Sequence, residues 1–204
     1  MSSSSRNPAE LRLRSGSAAE TRGLARGLAA ALCEKPAPPG LAIALVGALG
    51  AGKTLFAKGL GEGLGLAPEH MASPTFTIAN EFALPPGRPF ARLVHADFYR
   101  MEAESELEAA GLLDWLAPGA LLVAEWADRF PNALPADHLE VRLETAADAE
   151  TGAAATPGAV PTADAAAESA DAAAESADAA RVLCARAGGG AARRVLLRWA
   201  ARCP

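Results

Sequence analysis

Lysine is nearly absent from this 204-residue chain, with three lysines against sixteen arginines, and no basic run stands out. With a net charge of −5, strong autonomous binding to tRNA or DNA is not expected. Cysteine is scarce too. Cys33, Cys184 and Cys203 form no CxxC or Cys/His spacing, and their odd number argues against a disulfide framework. They read as small apolar residues or surface thiols in a reducing compartment. No stretch approaches the roughly 18 apolar residues of a membrane span. The Ser- and Arg-containing segment Met1 to Arg14 has no apolar core of a secretory signal. A cytoplasmic protein with no membrane association is therefore expected. Half the residues are hydrophobic, many of them alanines of little volume, and the length suits one domain.

One of the three lysines stands in a telling place. The apolar run Leu41 to Val46 leads into Gly47-Ala48-Leu49-Gly50-Ala51-Gly52-Lys53-Thr54, a complete phosphate-binding P-loop between a strand and a helix. Glycines allow φ > 0, so that successive N–H groups converge on a phosphate. A helix starting near Lys53 brings its positive end to the same spot. Lys53 supplies an ammonium for the β- and γ-phosphates, and the Thr54 hydroxyl can ligate the accompanying Mg²⁺. The bland alternative, a glycine turn before a helix in a Gly- and Ala-rich chain, leaves the lysine and the flanking strand unexplained.

Other segments fall into order around this loop. Residues 1–10 read as a disordered tail, and Leu11 to Arg14 as an edge strand. Ser17-Ala18-Ala19-Glu20 is a capping box that opens a helix with Leu24, Leu28 and Leu32 in one row. Lys35 to Gly40 stops it. The helix after the P-loop should end in the Gly61 to Gly65 cluster. Phe76 to Phe82 and Phe90 to His95 read as strands joined by the turn Pro85-Pro86-Gly87-Arg88. Ser105 to Ala110 predicts a short acidic helix. Ala120 to Glu125 and His138 to Leu143 predict strands. From about 146 to 180 the chain is low-complexity, with Ala-Ala-Ala-Glu-Ser-Ala-Asp in tandem at 165–171 and 172–178. Without a Leu or Ile seam it reads as an acidic insertion fluctuating between helix and coil. A strand from Arg181 to Arg186 and a helix from Ala191 to Arg202 follow, making the insertion an interruption of one domain spanning 11–204. The pattern predicts an α/β P-loop NTPase fold, with a central mixed, mostly parallel sheet flanked by helices.

Hydrolysis needs a carboxylate near Mg²⁺ and a group that places water. Glu125 ends four consecutive apolar residues, the layout of a buried strand that delivers one acid to the P-loop edge. Asp97 follows Leu93-Val94-His95-Ala96, and strand C-terminal ends are where open α/β sheets bind ligands. His95 shares a strand face with Asp97, as an orienting group or a structural histidine. Trp126 is either core or a lid on the nucleotide. Ser73-Pro74-Thr75-Phe76-Thr77 lies where many P-loop proteins keep a γ-phosphate-sensing switch, and otherwise reads as a turn with strand formers.

Together with the P-loop, the segments Ser73-Pro74-Thr75-Phe76-Thr77, His95-Ala96-Asp97-Phe98-Tyr99-Arg100 and Glu125-Trp126-Ala127-Asp128-Arg129 resemble the bacterial TsaE family. The resemblance spans about Leu11 to Glu144 and the terminal strand and helix from Arg181. It implies an ATPase of tRNA threonylcarbamoyladenosine modification, acting on a TsaB–TsaD heterodimer and meeting tRNA only indirectly. TsaD transfers a threonylcarbamoyl group to adenosine 37 of tRNAs reading codons that begin with adenine, and ATP hydrolysis by TsaE resets that complex. By motif, Gly47, Leu49, Gly50, Ala51, Gly52, Lys53, Thr54 and Leu55 would hold ATP, with Thr21 and Trp126 near the nucleotide. Thr54 and Glu125 would hold Mg²⁺, while Asp97, Lys53 and Thr75 would serve catalysis. The chain departs from the family at Ala48, where an acid is usual, and in its acidic insertion. Two other functions compete: a small P-loop metabolite kinase, which would need an acceptor site and an arginine-bearing lid, and a non-catalytic nucleotide-dependent scaffold.

Overall fold

A computed structural model describes residues 10–34, 38–67, 71, 74, 77–146 and 179–203. The tail 1–9, Thr75 with most of its segment, and the bulk of the insertion (147–178) lie outside the described residues.

Seven strands form one sheet: β1 (Glu10–Ser15), β2 (Leu41–Val46), β3 (Ala79–Ala83), β4 (Arg92–Asp97), β5 (Ala120–Glu125), β6 (Leu139–Thr145) and β7 (Arg181–Ala187). Their spatial order is β1-β7-β6-β2-β5-β4-β3. The four central strands run parallel, and β1, β7 and β3 close the two sides with antiparallel pairings. β2 and β5 are buried at all six positions, as expected of parallel strands covered on both faces. β6 alternates buried and half-buried residues over its first six positions, so its two faces are unequally covered. The mixed sheet with a parallel centre is the one expected from the sequence. β6 and β7 pair directly, with Thr145 opposite Arg181, so the insertion joins neighbouring strands.

Helices α1 (Ala18–Leu32), α2 (Lys53–Leu64) and α5 (Gly190–Ala200) lie on one face, over a core that includes Leu28, Ile43, Phe56, Leu60, Leu183 and Trp199. The short helices α3 (Glu104–Ala110) and α4 (Leu112–Trp115) cover a smaller core around Val94, Phe98, Leu107, Trp115 and Leu122. The expected cap forms with its return bond shifted by one residue: Glu20 N–H donates to Ser17 Oγ at 3.2 Å, while Glu20 Oε2 accepts from the N–H of Gly16, just before the cap, at 2.7 Å. Trp199 ties α5 to α1 by donating Nε1–H to the Leu24 carbonyl at 3.0 Å.

α2 ends at Leu64, within the Gly61 to Gly65 cluster as expected, capped by Gly65 in the left-handed region (φ 96°), while several other boundaries differ from expectation. The internal glycines serve the α1–α2 contact. A Cβ at Gly59 would stand 2.8 Å from Arg22 Cα, and one at Gly63 would stand 2.6 Å from Ala29 Cβ. Tertiary closeness thus overrides glycine's helix penalty of about 1 kcal/mol. β3 starts only at Ala79, and β4 begins at Arg92 and includes Asp97, which was expected just past its end. Glu10 belongs to β1 although it was assigned to the tail. α4 was not anticipated, being a single turn between Gly111 and Pro118.

Candidate nucleotide and metal site

The loop from Gly47 to Gly52 joins the end of β2 to the start of α2 at the C-terminal edge of the parallel strands. Gly47, Gly50 and Gly52 have φ of 150°, 76° and 99°. Two of these glycines are also required sterically. A Cβ at Gly47 would stand 2.3 Å from the Leu143 carbonyl oxygen of β6, and one at Gly52 would stand 2.9 Å from Arg181 Nε. Gly52 is the N-cap of α2 and provides no capping side chain, so the first-turn N–H groups and the helix dipole face the loop. Ala51 and Leu55 are buried here, while Leu49 and Ala48 are half-exposed.

Lys53 is 2% exposed, and its ammonium is held at the turn. Nζ donates to the carbonyls of Gly47 at 3.0 Å and Ala48 at 2.9 Å, and lies 3.6 Å from the centroid of the Trp126 ring. The next residue reaches the opposite way. Thr54 Oγ1–H donates to Glu125 Oε2 at 2.9 Å, and the other oxygen of the same carboxylate lies 2.7 Å from His95 Nε2. Strand register explains this convergence. β4 and β5 run parallel with Asp97 beside Glu125, and His95 and Asp97 share the β4 face that looks toward α2. All three ionisable side chains are buried.

Asp97 carries the strongest electrostatic signature. Its pKa is raised to about 7, first by burial and then by the neighbouring Glu125 charge. The N–H of Tyr99, which donates to Oδ1 at 2.8 Å, works against the shift, as do His95 and Lys53. Two adjacent buried carboxylates and a threonine hydroxyl form a hard-oxygen donor set suited to Mg²⁺. Among the described residues no group of three or more His, Cys, Asp or Glu side chains is arranged to hold an ion alone. That matches a cation bound by one or two protein oxygens together with substrate phosphates. The residues fit a Mg²⁺–nucleotide.

The only non-glycine residues with positive φ among the described residues border these acids: Trp126 (φ 56°) follows Glu125, and the carbonyl of Ile78 (φ 65°) accepts the Asp97 N–H at 2.8 Å. Such conformations cost about 1–3 kcal/mol and cluster at functional sites. Trp126 is half-buried and packs against Tyr99, with ring centroids 5.0 Å apart and the planes tilted by 45°. Thr21 is fully buried, and its hydroxyl bonds the Ser17 carbonyl at 3.1 Å and Ser15 Oγ at 2.8 Å where β1 turns into α1. Two residues escaped the sequence reading. Arg129 donates to the carbonyls of Tyr99 and, at 2.8 Å, Met101, tying the segments after β4 and β5 together. Arg181 is buried against Gly52, and burial lowers its pKa. Arg129 closes the EWADR segment; nothing in the sequence after the insertion marked Arg181.

The family model described as threonylcarbamoyl adenosine biosynthesis protein TsaE matches residues 15–153. The chain belongs to the TsaE family. It is 39% identical over 144 residues to the tRNA threonylcarbamoyladenosine biosynthesis protein TsaE of Bacillus subtilis, covering 69% of this chain and 82% of the relative. The Streptomyces coelicolor TsaE is 40% identical over 106 residues, covering 51% of this chain and 68% of that protein. The crystal structure of Bacillus subtilis YdiB resembles this fold with a TM-score of 0.61 and 26% identity, over 94% of this chain and 95% of that one. The span matched by the TsaE model contains Lys53, Thr54, His95, Asp97 and Glu125, while β7 and α5 follow it.

Proposed function

We propose that this TsaE-family chain is a Mg²⁺-dependent ATPase required for threonylcarbamoyladenosine formation at adenosine 37 of tRNAs that read codons beginning with adenine. It acts on a TsaB–TsaD heterodimer in the cytoplasm, touches tRNA only through that complex, and engages neither DNA nor membrane. No helix among the described residues is long and apolar enough to cross a membrane. The observation that carries the reading is the meeting of Thr54, Glu125 and Asp97 beside the P-loop, in a chain of this family.

In this mechanism the loop N–H groups and the α2 N-terminus bind the phosphate oxygens, and Lys53 neutralises the β- and γ-phosphates. Thr54 and Glu125 would hold Mg²⁺, which when bound would offset the charge that builds on the phosphoryl oxygens. Asp97, with its pKa near neutrality, accepts the proton of the attacking water as the bond between the γ-phosphorus and the bridging oxygen breaks, giving ADP and phosphate. Trp126 covers the lysine side of the site. Thr75 is assigned to the γ-phosphate-sensing segment from its motif alone.

A metabolite kinase finds less support. Arg92 begins β4, at the sheet edge opposite Asp97, and its guanidinium is engaged with the Asp114 carbonyl and Glu81. Arg88 lies against Cys33 Sγ. Neither forms a lid over the phosphates. Co-purification with the TsaB–TsaD pair, with and without ATP and Mg²⁺, and ATP turnover with and without that pair test the proposal. Slow hydrolysis accelerated by the pair is expected; rapid phosphorylation of a small acceptor with no partner present would sink it.

A further inference from the structure

His95 is fully buried in the middle of β4, between Val94 and Ala96 and in register with Val123 of β5. An imidazole in that setting is costly unless its polar atoms are used. One is. Nε2 lies 2.7 Å from Glu125 Oε1, and a carboxylate can only accept, so Nε2 carries the proton. The other ring nitrogen, Nδ1, is buried with no hydrogen-bond partner among the described residues. An aliphatic side chain would avoid that unmet acceptor, so the ring's contribution is its single N–H directed at Glu125. That carboxylate has two calls on it: Thr54 on Oε2 and the neighbouring Asp97, whose like charge pushes it away. The hydrogen bond to Oε1 fixes the remaining rotation.

We propose that His95 is a positioning residue for the cation site, holding Glu125 by Oε1 so that Oε2 stays with Thr54 where a divalent cation meets both. This rests on the Mg²⁺–ATP reading above. Outer partners of metal-binding carboxylates typically change metal affinity by 10–100-fold when removed.

The test uses the full chain, a fluorescent ATP analogue and a Mg²⁺ titration, with nucleotide affinity in EDTA as reference. His95→Gln keeps an N–H near the Nε2 position, His95→Leu removes it, and His95→Asn keeps an amide too short to reach Oε1. Leu and Asn variants should raise the half-saturating Mg²⁺ roughly 10–100-fold while EDTA affinity stays within about twofold, and the Gln variant should recover most of the difference. If His95→Leu fails to fold, the Asn–Gln pair alone decides. An unchanged Mg²⁺ midpoint, equal losses in EDTA and Mg²⁺, or equal impairment of the Gln and Asn variants would overturn the proposal. A wild-type chain whose nucleotide binding ignores Mg²⁺ would instead overturn the Mg²⁺–ATP reading beneath it.

Discussion

On one side of the site, three glycines with positive φ and a helix start offer backbone N–H groups, all within eight residues of sequence. Across from it, His95, Asp97 and Glu125 offer side chains from two strands, and the His95–Glu125 contact spans thirty residues. The loop works through conformation: β6 presses on Gly47 so closely that no side chain fits. The acid side works through charge held in a dry place, with the pKa of Asp97 raised to about 7 by burial and by Glu125. Such a division assigns binding to the loop and reactivity to the acids, so the two should fail separately.

The largest effect is expected on the loop side. Lys53→Ala should weaken ATP binding at least about a hundredfold, equivalent to about 2.7 kcal/mol, as read by calorimetric titration. Undiminished binding would dissolve the contrast, since the loop would then not be the phosphate site. Next comes the helix that carries Lys53 and Thr54. Gly63→Val places a side chain where a Cβ already stands 2.6 Å from Ala29 Cβ and 3.0 Å from Arg26 Cα. Overpacking of this kind should cost about 1–3 kcal/mol of stability in urea unfolding, while ATP affinity in the folded fraction changes little.

The smallest effect concerns the acid side and has a definite sign. Asp97 has a pKa of about 7 in the folded chain against 3.8 when unperturbed, so the folded state binds more protons between those values. Its contribution to stability is greatest below 3.8, falls as pH rises toward 7, and is level above. Asp97→Asn should therefore be more stable than the wild type at pH 8, in metal-free buffer, by a margin that shrinks toward pH 4. A constant difference across that range would mean that Asp97 titrates normally.

The same contrast explains what could be read in advance. The P-loop was legible because strand, glycines, lysine and helix are consecutive, and Glu125 because the four consecutive apolar residues before it announce a buried strand. The parallel centre of the sheet followed from those runs. The contact of His95 with Glu125 was not legible, because it depends on the register between β4 and β5. The glycine cluster at 61–65 correctly marked the end of α2, but the reason for Gly59 and Gly63, the close approach of α1, was not legible. Thr21 was assigned to the nucleotide region from the resemblance alone, and its hydroxyl contacts with Ser15 and Ser17 depend on how β1 turns into α1. The strand that Arg181 opens was expected, but the approach of Arg181 to Gly52 depends on the β6–β7 pairing and was not legible.

The separation of binding from reactivity is tested most directly in Asp97→Ala, with ATP affinity and ATP turnover measured on the same sample in the presence of Mg²⁺ and the TsaB–TsaD pair. Affinity close to that of the wild type, with turnover largely abolished, is the expected result. Turnover at the wild-type rate, or a loss of binding as deep as that in Lys53→Ala, would contradict it.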